Sequence, residues 1–225
     1  MVKKNQEIQT KNLERRVFAV EDVELRVSDG DGPQITGYAA KFGKKSVNLG
    51  GFTEHIQKGA FDEALKNSDV CALKNHDSNL LLGRSTSGTL RLKTNSVGLY
   101  FEIDPPNTTT GRDTIEEIRR KDLNGCSFAF IIAEDAWKNN EDGTVERTII
   151  KVEQLFDVGP VTKPAYLDTT VSIRSQNSFE EYRAAVERRK KQPENKEKEI
   201  ERNRQFEKKY RKAGRIINRN KSTDV

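Results

Sequence analysis

This sequence predicts a mainly β fold of the α+β kind: a β-rich barrel with a few helices around it, followed by a charged helical C-terminal arm. Two observations carry that expectation. Between residues 15 and 173, short runs of strand composition alternate with turn signals. Beyond about Ser175, Glu, Lys and Arg dominate and large apolar residues nearly vanish.

The strand candidates come in order. Val17-Phe18-Ala19-Val20 and Val23-Glu24-Leu25-Arg26-Val27 have strand composition, and Ser28-Asp29-Gly30-Asp31-Gly32-Pro33 breaks the pattern. Ile35 to Phe42 follows, and Val70 to Leu73 is an apolar strand that runs into a loop. Leu90 to Thr94 alternates strictly, as does Leu99 to Ile103 after the turn Asn95-Ser96-Val97-Gly98. Glu141-Asp142-Gly143-Thr144 reads as a hairpin turn, because Asp-Gly supplies the positive φ angles such turns need. Two helices interrupt the strands. One is short, Phe61 to Asn67. The other, Thr110 to Lys121, sets Ile115 and Ile118 three apart, with Asp113, Glu116 and Glu117 near its expected start.

Charge divides the chain. From Glu187 to Val225 there are 15 Lys/Arg against 7 Asp/Glu, so the overall +5 consists of about +8 in the tail and −3 in residues 1–186. The stretch Glu194 to Ile217 offers only Ile200, Phe206, Tyr210, Ile216 and Ile217 as large apolar groups. That is too little to offset the entropy of ordering it alone. A helix-prone arm that orders on a partner is expected. The longest apolar run, Phe128 to Ala133, is far below the ~20 residues of a membrane helix, and no apolar stretch follows the basic N-terminus as in a signal peptide. Cys71 and Cys126 make no disulfide framework, and no Cys/His spacing matches a zinc site, so a reducing cytoplasm is the expected compartment.

A histidine base must be His55 or His76. His76 lies where an apolar strand meets Asn75 and Asp77, a rim position suited to function, although a surface turn histidine reads the same way. His55, in Thr53-Glu54-His55-Ile56, reads as an ordinary exposed strand residue. Nucleophile candidates cluster at Gly125-Cys126-Ser127-Phe128-Ala129-Phe130. In a strand, Cys126 falls in phase with Phe128, Phe130 and Ile132, the large apolar set, whereas Ser127 falls with Ala129, which leaves room for substrate. Asp157, among the apolar residues of Leu155-Phe156-Asp157-Val158, needs a partner. An imidazole or a structural cation would serve equally.

The three segments together say more. Asn75-His76-Asp77, then Gly125 to Phe130, then Leu155 to Ala165 stand in the order of the prohead serine protease family of tailed phages, which this chain resembles across residues 35 to 174. Gly37-Tyr38-Ala39-Ala40-Lys41-Phe42-Gly43, Gly59-Ala60-Phe61, Leu82-Gly83, Gly98-Leu99 and Val161-Thr162-Lys163-Pro164-Ala165 are similar to that family's other motifs. It departs at Asp157, where Glu is usual, at Gly159, where Ser is usual, and at Ala129, where Gly is common.

The resemblance implies a serine endopeptidase with His76 as base, Ser127 as nucleophile and Asp157 as the orienting carboxylate, in a barrel similar to herpesvirus assemblin. It implies no metal or cofactor. The expected substrates and partners are the phage scaffolding protein, the major capsid protein and the enzyme's own chain, inside an assembling procapsid in the host cytoplasm. The turn Val158-Gly159-Pro160 is a candidate for the oxyanion donors. A flexible N-terminus (1–14), a protease domain (15–175) and a basic tail (176–225) are the expected parts. The competing reading is a non-enzymatic assembly module docking through its basic helical tail. Nucleic-acid binding is disfavoured, since acids are interspersed in the tail and few rings are available for stacking.

Overall fold

Strand-forming runs pair into two sheets in the computed structural model, which describes residues 13–19, 24–29, 32–162, 175–189 and 201–202. The first sheet has the order β1 (Glu14–Ala19), β9 (Gly125–Asn139), β10 (Val145–Val161), β5 (Cys71–Leu73) and β6 (Leu81–Arg84), with β4 (Phe52–Ile56) also pairing with β10. The second is β2 (Arg26–Ser28), β3 (Gln34–Lys41), β8 (Gly98–Ile103) and β7 (Leu90–Thr94). Two helices, α1 (Asp62–Asn67) and α2 (Thr109–Arg119), interrupt the strands.

The α+β composition is as the sequence implies, but the closed barrel is corrected. Among the described residues, one isolated bridge, Phe42 to Ile56, links the two sheets, and one bridge cannot close a ladder. They share a core instead. Ile35, Leu90, Leu99, Phe101 and Ile103 of the second sheet pack with Cys126, Phe128, Phe130, Val152, Leu155 and Val158 of the first.

The longest elements are the hairpin strands β9 and β10, joined where Gly143 adopts φ 82°, as the Asp-Gly pair implies. α2 begins earlier than its acidic residues suggest. Thr108 caps it by accepting from the Gly111 amide at 3.3 Å, which places Asp113, Glu116 and Glu117 beyond the first turn. Residues 175–189 are helical, and most of the expected arm beyond them lies outside the described residues. The chain divides into one unit through Asn177 and another from Ser178.

A buried ionic cluster fastens β1. Arg16 donates to Glu54 Oε1 and Glu14 Oε2, both at 2.6 Å, and Arg147 reaches Glu14 at 3.0 Å, Glu54 at 3.2 Å and Asp135 at 2.7 Å. Ser175 donates to Glu14 at 2.7 Å. An unpaired buried guanidinium would cost several kcal/mol, so each charge here is held by its partners. β1, β4, β9, β10 and Ser175 are thereby tied at one point.

Candidate active site

Ser127, His76 and Asp157 come from three neighbouring elements and meet. In the β9–β10 ladder Ser127 stands opposite Gly159 and Ala129 opposite Asp157. Side chains two apart on a strand share a face, so Ser127 and Asp157 project from the same side of the sheet, away from the core side of Phe128 and Val158. β5 lies along the other edge of β10, with Cys71 beside Asp157 and Ala72 beside Val158. Three residues past β5, His76 is delivered between them.

The contacts form a continuous chain. His76 Nδ1 lies 2.5 Å from Asp157 Oδ1, and His76 Nε2 is in hydrogen-bond contact with Ser127 Oγ. With Nδ1 protonated toward the carboxylate, Nε2 is left as the acceptor for the serine hydroxyl. Ser127 Oγ also lies 2.9 Å from the Arg16 carbonyl on β1, a second acceptor for the same proton. Ser127 is 1% exposed and Asp157 8%, whereas His76 between them is partly exposed, so the two ends of the chain are covered and the imidazole keeps an edge toward solvent.

The strand phase places Cys126 in the core with Phe128 and Phe130, opposite the Ser127 face. Burial pushes the Cys126 thiol far up, which disfavours a thiolate nucleophile. Ala129, which shares the Ser127 face, is itself fully buried rather than open among the described residues. Val158-Gly159-Pro160 is not a turn, and the oxyanion assignment built on a turn there is corrected. These residues lie within β10, and a Cβ on Gly159 would fall 2.0 Å from the Leu73 carbonyl. The glycine lets the end of β5 approach β10 closely enough to deliver His76. His55 stands apart, partly covered rather than exposed. It sits opposite Thr148 on the far part of β10, 2.9 Å from Glu146.

Two features escaped sequence reasoning. The Arg16 carbonyl is backbone and leaves no trace in residue identity. The backbone at Asn75 and His76, with φ of 54° and 59°, is left-handed at two consecutive non-glycine residues. Asn before His was the one available hint, since both tolerate that region better than most residues.

The model of a family described as caudovirus prohead serine protease matches residues 21–184. No curated protein matches the chain. Among solved structures, the capsid assembly protease of bacteriophage T4 is similar at 12% identity, over 66% of this chain and 98% of that one, with a TM-score of 0.43.

Proposed function

The chain belongs to the caudovirus prohead serine protease family, and from that premise we propose that it is a serine endopeptidase of procapsid maturation with Ser127, His76 and Asp157 as its catalytic residues. The observation that carries the reading is the unbroken Ser127–His76–Asp157 contact chain across β9, the β5–β6 turn and β10. A pure assembly module has no use for that arrangement.

The chemistry is acyl transfer. His76 Nε2 takes the proton of Ser127 Oγ as the oxygen attacks a scissile carbonyl, then returns it to the leaving amine. Asp157 holds Nδ1–H and stabilises the imidazolium between the two transfers. Water repeats the sequence on the acyl-enzyme. The Arg16 carbonyl competes for the serine proton in the resting enzyme, and the Oγ–H must turn from it to Nε2 for attack.

The proposed substrates are the scaffolding protein, segments of the major capsid protein and the enzyme's own chain, cut inside the procapsid in the host cytoplasm. The basic segment 176–225 is proposed to dock the protease domain, residues 15–175, on those partners. Incubation of the purified protein with coat and scaffolding proteins, followed by mass spectrometry of the fragments, tests the function. Defined fragments that are absent with Ser127→Ala are expected. Uncut partners, or the same fragments from both proteins, would sink it.

A further inference from the structure

Two consecutive left-handed residues set the base in place, and something must hold them there. Asp77 N donates to the Lys74 carbonyl at 3.1 Å, closing a four-residue turn whose central residues, Asn75 and His76, both have positive φ. A residue with a side chain is disfavoured in that region and persists there only when its surroundings fix it. On one side the turn is fastened by Asp77, whose Oδ1 accepts from Asn79 N at 2.8 Å.

On the other side the bonds to the end of β10 come from Asn75. Its backbone N–H donates to the Pro160 carbonyl at 3.0 Å. Its side-chain Oδ1 accepts from Thr162 N at 2.9 Å, and its Nδ2 donates to Thr162 Oγ1 at 3.0 Å. These partners lie at the C-terminal end of β10. Asp157 stands three residues before Pro160 on that strand, and Gly159 is the register partner of Ser127. Asn75 therefore ties the turn that carries the base to the strand that carries the carboxylate and lies against the nucleophile. The side chain itself is exposed and touches no reacting atom.

We propose that Asn75 is a positioning residue that, through Thr162, locks the left-handed turn and holds the His76 imidazole between Asp157 and Ser127. The inference rests on the reading of His76 as the base of Ser127. Because the amide is exposed, losing it costs little global stability, while a displacement of about 1 Å at the imidazole costs about a hundredfold in rate.

The test uses the full chain, a fluorophosphonate probe of Ser127 and the proton resonance of His76 Nδ1–H, which a short bond to a carboxylate deshields. Asn75→Gly keeps the backbone freedom and removes the side-chain bonds. Labelling about 10–100-fold slower, with loss of the deshielded resonance and a nearly unchanged Tm, is expected. Asn75→Asp retains an acceptor for Thr162 N and one for the Thr162 hydroxyl, and should stay within about threefold of the parent in labelling. If Asn75→Gly does not fold, Thr162→Val decides: slowing of about 3–10-fold supports the proposal and an unchanged rate overturns it. Asn75→Gly with parental labelling and an intact resonance also overturns it, as does Asn75→Asp no better than Asn75→Gly. Should the parent take up no probe, the peptidase reading fails by itself. The resonance then still decides the positioning role, by depending or not on Asn75.

Discussion

Cys126 and Ser127 are adjacent, yet the fold gives them opposite fates. Cys126 faces the core among phenylalanines, where burial raises its thiol, and Ser127 faces the imidazole. Cys126→Ala should keep most activity at a stability cost of about 1–2 kcal/mol for a small buried side chain. Ser127→Ala should lower cleavage by roughly 10³-fold or more. Fluorophosphonate should label only Ser127, and iodoacetamide should not inhibit the folded protein. Activity surviving in Ser127→Ala and lost in Cys126→Ala would make this a cysteine peptidase. Asp157→Asn isolates the tautomer. An amide NH₂ facing Nδ1 makes Nδ1 the acceptor, which moves the ring proton to Nε2, where it can no longer receive one from serine. Turnover should fall by about 10²–10⁴ with an unchanged circular dichroism spectrum. Unaltered kinetics would remove Asp157 from the site.

Among the elements, β1 depends most on charge. Burial favours the neutral form of Glu14, but the guanidiniums of Arg16 and Arg147 outweigh it and hold the carboxyl at about 2, against an ordinary 4.5. A depressed folded-state value stabilises the fold fully above the unfolded value and loses that contribution as pH falls through the folded one. Glu14→Gln should therefore be less stable than the parent by about 2–3 kcal/mol at neutral pH in urea unfolding. The gap should close between pH 4.5 and 2. A gap that stays constant over that range would show that Glu14 is not held as an anion. None of this cluster was legible in the sequence, because charged residues read as solvated until partners 38 and 133 residues away are known to reach them. What was legible was local. Alternation gave β7 and β8, Asp-Gly gave the β9–β10 turn, and strand phase separated Cys126 from Ser127. Motif order brought His76, Ser127 and Asp157 together on paper before the sheet did so in space. The left-handed turn and the role of Gly159 depend on how closely two backbones approach, which no residue type states.

At the scale of the whole chain, the division of charge and of structure nearly coincide. The sequence alone puts the start of the arm at about Ser175. Ser175, however, is fully buried and donates to Glu14, and Gln176 Nε2 donates to the Leu49 carbonyl at 2.9 Å, so both anchor the β unit. A chain ending before Ser175 would strip Glu14 of a hydrogen bond inside the ionic cluster that positions β1, whose Arg16 carbonyl touches Ser127 Oγ. A chain ending at Asn177, the limit of the first unit, keeps both anchors. It also discards the segment that carries the basic surplus. Truncation after Asn177 should leave Tm and fluorophosphonate labelling near those of the full chain, whereas truncation before Ser175 should lower both. If the basic segment is the docking element, the Asn177 truncation should also fail to enter procapsids assembled with it. Such attraction between opposite charges weakens with added salt, so incorporation of the full chain should fall as ionic strength rises. Procapsids that take up the truncated protein as well as the full chain would show that recruitment lies in the β unit.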